Sequence, residues 1–263
     1  MTEKNVAFPS LPQAVLLVGA LFAMELVVGI VLNGARNVLG ITSAQTWTLG
    51  ELLANGLVFA TVMQYRGLTY RGLFHPAGTS MRATAANVVP WVLLLVPALV
   101  ITLSMVVNVI TELFPLSDRN RAMFEDMAGN DLASLLMGCV IAPVVEEMLF
   151  RGVILRGFLQ RYDRGMAILA SSALFGLAHL NVYQFAVGLL MGAVCGWLYT
   201  RARSLVPCVA LHMAYNSSLH LLASASGEAS ITGGLWIACV LLAGVGVHAL
   251  QRAFAHADAA GKG

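Results

Sequence analysis

Residues 132–157 read LASLLMGCVIAPVVEEMLFRGVILRG. The stretch carries no charge up to Val145, and three charged side chains then follow within six positions: Glu146, Glu147 and Arg151. This length and apolarity predict a helix that crosses a bilayer, since about 20 apolar residues span its hydrocarbon core. A charged side chain at the centre of such a helix costs about 2.5–3.5 kcal/mol on insertion scales, so these residues are candidates for a functional site.

Helix geometry separates the three charges. Glu147 and Arg151 lie four residues apart, so they share a helix face and are expected to form an ion pair. Glu146 points about 100° away from Glu147 around the helix, so the same guanidinium serves both carboxylates poorly. Pro143 removes a backbone hydrogen bond, which is tolerated at membrane depth where the backbone is buried in protein or lines a wet cavity. We interpret Glu147 and Arg151 as a supporting pair and Glu146 as the carboxylate available for chemistry. The alternative is a buried ion network without chemistry.

The composition indicates an integral membrane protein. Of the 263 residues, 59% are hydrophobic and 11% are charged, and the mean hydropathy is +0.80. Soluble domains carry about 25% charged residues. No basic run resembles a nucleic-acid-binding surface. The four cysteines lie in apolar segments without metal-ligand spacing, so we expect them to be core residues and not disulfides.

Windows of about 20 apolar residues predict eight helices in an all-α, polytopic membrane bundle. Their ranges are 13–33, 47–65, 86–113, 132–157, 166–180, 183–200, 205–223 and 231–253. The first range is longer than the apolar core of a cleaved signal peptide, so we expect this helix to be retained. The fifth is short and is predicted to stop inside the protein. We expect one integral membrane domain over residues 1–263, with a catalytic core at 132–223 and a disordered tail at 254–263.

The distribution of basic residues predicts the orientation. Eleven Lys and Arg residues lie in the termini and loops on one side of the predicted bundle, whereas the other side has only Arg36, Arg119 and Arg121. The positive-inside rule therefore places both termini in the cytoplasm, which agrees with an even number of spans. In a bacterium this would be the plasma (inner) membrane.

Glycines at every fourth position mark one predicted helix. Gly188, Gly192 and Gly196 lie on one face of the sixth span. Small residues at this spacing allow two membrane helices to approach closely. We therefore predict that this face packs against a neighbouring helix.

Three further polar residues fall inside predicted spans at the depth of Glu146. His179 ends the fifth span, and His212 and Asn216 lie four residues apart on one face of the seventh. At 1.5 Å per residue, these four side chains lie about 10–20 Å from the cytoplasmic ends of their helices, near the middle of a ~30 Å core. We therefore predict one site buried among the fourth, fifth and seventh helices.

The three motifs, in this order, resemble a known family. Glu146-Glu147-x-x-x-Arg151, Phe175-x-x-x-His179 and His212-x-x-x-Asn216 are similar to the motifs of the CAAX-processing and bacteriocin-processing (CPBP, or Abi) family of intramembrane proteases. They cover residues 146–216, and the first three spans and the last carry no such signature. The resemblance implies that Glu146 and His179 act on a water molecule, that His212 and Asn216 stabilise an oxyanion, and that Glu147 and Arg151 support them.

The residues themselves are consistent with this chemistry. Peptide hydrolysis needs an activated water, donors for the developing oxyanion and a proton for the leaving amine. We favour a metal-free glutamate mechanism without a cofactor, because the sequence has no H-E-x-x-H motif and no thiolate lies near the site residues. The alternative is a divalent metal such as zinc, held by Glu146, His179 and His212, since two imidazoles and a carboxylate occur in catalytic zinc sites.

The leading hypothesis is thus an intramembrane endopeptidase that cleaves a membrane-associated or lipid-modified peptide or protein in the lipid bilayer. The alternative is a non-enzymatic membrane scaffold or bacteriocin-immunity protein of the same family. A third class is a transporter, because intramembrane Glu and His also form proton relays. No parallel or inverted repeat is visible in the sequence, which disfavours the transporter.

Overall fold

The computed structural model describes residues 8–127, 129, 131–224 and 233–260. Within these ranges the chain forms eleven helices and no strand. The helices are α1 (Leu11–Leu39), α2 (Ser43–Arg66), α3 (Tyr70–Phe74), α4 (Met81–Leu93), α5 (Val96–Leu113), α6 (Asp118–Met127), α7 (Leu132–Phe158), α8 (Arg164–Leu177), α9 (Val182–Ala202), α10 (Val206–Ser224) and α11 (Gly233–Ala260). The predicted all-α class is confirmed.

Five of the described helices are long and apolar enough to cross a membrane: α1, α5, α7, α9 and α11. Helix α8 is apolar but shorter. The protein is therefore an integral membrane protein with a polytopic helical bundle. Each of the eight predicted segments coincides with one helix or with a broken pair of helices. The number of membrane crossings and the cytoplasmic position of the termini stay predictions.

The third predicted segment, 86–113, is not one continuous helix. The structure divides it into α4 and α5, with a turn at Leu94 and Leu95. Pro97 explains the break, because proline has no N–H to donate to the carbonyl of Leu93 and its ring clashes with that carbonyl. The expectation of one unbroken helix over these residues was wrong.

The fifth predicted segment, 166–180, ends earlier than expected. Helix α8 ends at Leu177, Ala178 is its C-cap, and His179 lies in the turn that follows. The turn leads through Leu180, which has a positive φ of 58°. His179 therefore lies just beyond a helix end and not within the helix.

The C-terminal helix is longer than predicted. Helix α11 continues to Ala260, so most of the predicted disordered tail at 254–263 is helical. Alanine, which has the highest helix propensity, is frequent in this segment. Residues 261–263 of the predicted tail lie outside the described residues.

Helices α8 and α9 pack against each other through the predicted glycine face. A Cβ atom added to Gly192 would lie 2.8 Å from Cβ of Ser172, and one added to Gly188 would lie 2.9 Å from Cα of Gly176. Contacts this short leave no room for a side chain. The predicted close packing is confirmed, and it holds the turn at His179 against α9.

The short helix α3 closes one end of the bundle. Leu73 is fully buried. A Cβ atom added to Gly152 of α7 would lie 2.9 Å from Cδ1 of Leu73, so the two residues are in close contact. Arg156 Nη1 donates a hydrogen bond to the Gly72 carbonyl at 2.8 Å. The backbone N–H of Leu205 donates to the carbonyl of Phe74, also at 2.8 Å. Helix α3 thus ties the end of α7 to the start of α10.

Candidate active site

Helix α7 carries a buried ion pair at its centre. Arg151 Nη1 donates to Glu147 Oε1 at 2.9 Å, and the two side chains are 1% and 0% exposed. The guanidinium carbon of Arg151 lies 4.6 Å from the ring centroid of Phe175, in a cation–π contact. The pair that the four-residue spacing predicts is present, and the ring of Phe175 covers it from α8.

His212 joins this pair to the second carboxylate. Its Nδ1 lies 3.1 Å from Glu147 Oε1, and its Nε2 lies 3.7 Å from Glu146 Oε2. An ionised carboxylate only accepts hydrogen bonds, so Nδ1 carries the hydrogen. The 3.7 Å separation is too long for a direct hydrogen bond. The sequence did not predict the contact between His212 and Glu147.

The two neighbouring glutamates differ in accessibility. Glu147 is fully buried, whereas 27% of the Glu146 side chain is exposed. Glu147 is occupied by Arg151 and His212. Glu146 is therefore the carboxylate of the two that a substrate or water molecule can reach.

His179 approaches the site through Phe175. Its Nδ1 is 2.9 Å from the Phe175 carbonyl oxygen. Because a carbonyl only accepts, Nδ1 carries the hydrogen and Nε2 of the neutral ring is an acceptor. The ring of Phe175 lies 5.1 Å from that of His179 and 5.9 Å from that of His212, both edge-on. Within the described part of the chain, no hydrogen bond or ion pair joins His179 to Glu146.

Asn216 contacts the same span as the two glutamates. Its Nδ2 donates to the carbonyl of Gly138 at 2.8 Å. Gly138 belongs to a π-helical segment, Met137–Ile141, that precedes Glu146 in α7. In such segments the backbone hydrogen bonds join residues five apart and not four apart, and the segments are frequent at functional sites. The amide of Asn216 has two N–H groups, so one remains for a ligand.

The three residues that the sequence suggests as alternative metal ligands, Glu146, His179 and His212, do not form a metal centre in this structure. Among the described residues, no three His, Cys, Asp or Glu side chains are grouped closely enough to hold a metal ion. Nδ1 of His179 and Nδ1 of His212 both donate to oxygen acceptors, which leaves Nε2 of each ring, an arrangement that metal-ligating histidines also have. The choice between the glutamate mechanism and the metal-dependent alternative stays a prediction.

Two carboxylates near Glu146 were missed by the sequence analysis. Glu25 of α1 and Glu51 of α2 interact electrostatically with each other and with Glu146. Asn55 Nδ2 donates to Glu51 Oε1 at 2.8 Å. Both glutamates lie inside predicted spans. The criterion that selected Glu146, an ionisable residue at membrane depth, would have selected them as well.

The segment that contains these motifs matches a family model. The model described as "Type II CAAX prenyl endopeptidase Rce1-like" matches residues 128–218. This range includes all six side chains that the sequence assigned to the site. Over this segment the chain is similar to the CPBP family. The resemblance inferred from the three motifs is thereby confirmed.

A curated relative matches over a shorter segment. A Bacillus subtilis protein named "Putative membrane peptidase YdiL" is 24% identical over 83 residues, which cover 32% of this chain and 34% of that protein. The chain therefore spans about a third of the length of the curated relative it matches. No solved structure gives a significant match.

Proposed function

We propose that this protein is a CPBP-type intramembrane endopeptidase that hydrolyses a peptide bond with a water molecule activated by Glu146. One observation carries the proposal. His212 is hydrogen-bonded to the buried Arg151–Glu147 pair and holds its Nε2 3.7 Å from the accessible Glu146, so a positioned imidazole lies beside one reachable carboxylate within a membrane helix. This is the arrangement that general-base catalysis needs, with the base in reach and its partners held in place.

The proposed reaction begins at Glu146. Its carboxylate accepts a proton from water while the water oxygen bonds to the carbonyl carbon of the substrate. The tetrahedral intermediate then collapses, the C–N bond breaks, and Glu146 returns the proton to the leaving amine. His179 orients the water through Nε2, the ring nitrogen that its bond to Phe175 leaves as an acceptor. No metal takes part in these steps.

The oxyanion is stabilised by Asn216 and His212. One N–H of the Asn216 amide donates to the Gly138 carbonyl, and this bond fixes the orientation of the amide. The second N–H is then available to donate to the oxyanion. His212 donates through Nε2 when it is protonated, because Nδ1 is committed to Glu147. A preorganised donor at a developing oxyanion accounts for about 10²–10³-fold in rate. Glu147 and Arg151 act only by positioning His212.

The proposed substrate is a membrane-associated or lipid-modified peptide or protein. The matched model is described as a prenyl endopeptidase, and the site lies in a membrane helix. Its substrate has to reach Glu146 from the bilayer or its surface. We place both termini in the cytoplasm and, in a bacterial source, the protein in the inner membrane, on the distribution of basic residues.

The test compares membrane peptides from cells that express the native protein and Glu146→Gln, followed by cleavage of the identified peptide by purified protein in lipid vesicles. Glu146→Gln is expected to lower the rate by about 10²–10⁴-fold, the usual contribution of a general base. The control is Glu112→Gln, at an exposed residue of α5, which should keep the native rate.

Two histidine variants complete the test. His179→Ala and His212→Ala should each abolish cleavage in a folded, inserted protein, whereas His248→Ala on the exposed face of α11 should not. Native activity in Glu146→Gln would contradict the proposal. A cellular phenotype unchanged in both Glu146→Gln and His179→Ala would instead favour the scaffold or immunity role.

A further inference from the structure

Helices α1 and α2 line a partly open cavity of about 400 Å³. At about 30 Å³ per molecule, this volume holds on the order of a dozen waters. Six of its lining side chains are polar or charged: Glu25, Asn33, Arg36, Ser43, Thr46 and Glu51. Polar groups at membrane depth face protein or a water-filled cavity, because exposure to lipid is costly. The lining therefore indicates a hydrated space between the two helices.

The cavity extends along α1 and α2 from the ends at which the two helices join. Arg36 near the end of α1 donates from Nη1 to Ser43 Oγ at the start of α2, at 2.7 Å. Glu25 lies eleven residues before Arg36, about 17 Å along the helix, and Glu51 lies eight residues after Ser43, about 12 Å along its own. The two carboxylates thus line the deep end, at a distance from the helix ends that is about half the thickness of a ~30 Å hydrocarbon core.

The deep end of the cavity lies near the candidate site. Helix α2 approaches the start of α7, where Thr48 Oγ1 lies 3.5 Å from the carbonyl oxygen of Ala133. Glu25 and Glu51 are also within electrostatic range of Glu146, and the like charges repel one another. The cavity lining is therefore on the side of α7 that carries the proposed general base.

Two glycines keep the cavity open. A Cβ atom added to Gly29 meets no atom within 4 Å, and one added to Gly50 meets only Cδ1 of Leu32, at 3.7 Å. Both glycines line the cavity. On the same two helices, Gly19 and Gly56 also have free space around an added Cβ, but they lie on exposed faces outside the cavity.

We propose that this cavity, the α1–α2 vestibule, is a water-filled entry that favours cations over anions and supplies Glu146 with the water consumed in hydrolysis. The inference rests on the proposed function, because hydrolysis inside a membrane consumes one water for each peptide bond. The acidic side chains of Glu25 and Glu51 lie at the deep end of the vestibule and the guanidinium of Arg36 lies near the helix ends, so the deep end favours positive charge when these carboxylates are ionised.

The first test measures access of water without any need for catalysis. Gly29→Cys and Gly50→Cys are reacted in lipid vesicles with a membrane-impermeant, trimethylammonium-bearing thiol reagent. Since thiolates form in water and not in lipid, both should react at least about tenfold faster than Gly19→Cys and Gly56→Cys. The native protein gives the background, as three of its four cysteines are buried and the fourth is half-buried. Equal rates at the four positions would overturn the vestibule.

The second test measures whether the α1–α2 vestibule favours cations over anions. In Gly50→Cys, the ratio of the reaction rate with the cationic reagent to that with a sulfonate-bearing reagent should exceed one, and Glu25→Gln or Glu51→Gln should lower it several-fold. Glu112→Gln, outside the vestibule, should leave the ratio unchanged. A ratio that does not respond to either carboxylate would overturn the preference for cations.

The third test links the vestibule to hydrolysis. Gly29→Leu and Gly50→Leu should lower kcat by at least about tenfold with little change in KM, while Gly19→Leu and Gly56→Leu keep the native kcat. Native kcat in both cavity variants would overturn the role in water supply. If the cavity cysteines react rapidly but the native protein hydrolyses no membrane peptide, the proposed function fails and the hydrated cavity does not.

Discussion

His212 donates a hydrogen bond from Nδ1 to Glu147 Oε1 across 3.1 Å, and this bond joins α10 to α7 in the middle of the bundle. Both side chains are buried. Glu147 Oε2 and Arg151 Nη2 have no hydrogen-bond partner among the described residues. The network is therefore held by few bonds, each of which matters because buried charges are expensive when they lose a partner.

Removing either member of the ion pair should destabilise the protein strongly. Glu147→Ala and Arg151→Ala are each expected to lower the free energy of unfolding by about 3–5 kcal/mol, because the remaining charge is left unpaired in the core. The double variant Glu147→Ala/Arg151→Ala should cost less than the sum of the two single changes. Denaturant unfolding in detergent micelles measures this, with Glu112→Ala as the control. Additive losses would show that the two charges do not depend on each other.

Substitution of Asn216 should affect catalysis more than stability. Asn216→Ala loses one hydrogen bond to Gly138, which corresponds to about 0.5–1.5 kcal/mol of unfolding free energy. If the second N–H stabilises the oxyanion, kcat should fall about 10²–10³-fold. Ser218→Ala is the matched control on α10, since its hydroxyl bonds only to the Ala214 carbonyl of its own helix. Equal kcat in the two variants would show that Asn216 does not stabilise the oxyanion and serves only to join α10 to α7.

The α8–α9 contact predicts a difference between two glycines. Gly192→Ala forces a methyl group to within 2.8 Å of Cβ and 2.9 Å of Cα of Ser172, so it should cost about 1–3 kcal/mol of overpacking. Gly19→Ala on α1 meets no atom within 4 Å and should leave stability unchanged or raise it by about 0.5–1 kcal/mol, because alanine favours the helix. Thermal unfolding in detergent separates these outcomes. A stable Gly192→Ala would mean that the two helices can move apart.

Metal removal should leave the proposed activity intact. The described residues offer no preformed group of three ligands, and the proposed steps need only side chains and water. We expect purified protein to contain substoichiometric zinc by elemental analysis and to keep its rate after treatment with a chelator. Loss of activity on chelation, with recovery when stoichiometric zinc is restored, would replace the glutamate mechanism by a metal-dependent one.

Most of the helical framework could be predicted from hydropathy alone. The segment 132–157 matches α7 to within one residue, because its two ends coincide with polar loops. The break between α4 and α5 depends on Pro97, whose effect is local and was hidden inside a long apolar run. The surface helices α3 and α6 were missed because they are short or polar, and no apolar window marks them.

The side chains of the site were predictable as a set but their contacts were not. Spacing alone gave the Glu147–Arg151 pair, since both residues lie on one helix. The bond from His212 to Glu147 depends on how α10 packs against α7, which no local pattern specifies. The bond from Asn216 to Gly138 depends on a π-helical carbonyl, and backbone acceptors carry no signature in the residue types.

The position of α3 restricts the routes by which an inhibitor could approach the protein. Leu73 packs against Gly152 at the arginine-rich end of the bundle. Hydrogen bonds from Arg156 and Leu205 to backbone carbonyls of α3 hold the helix in this position. We expect this packing to hinder the approach of a compound to Glu146 from that end. Screening libraries should accordingly favour molecules that partition into the bilayer or enter from the opposite face.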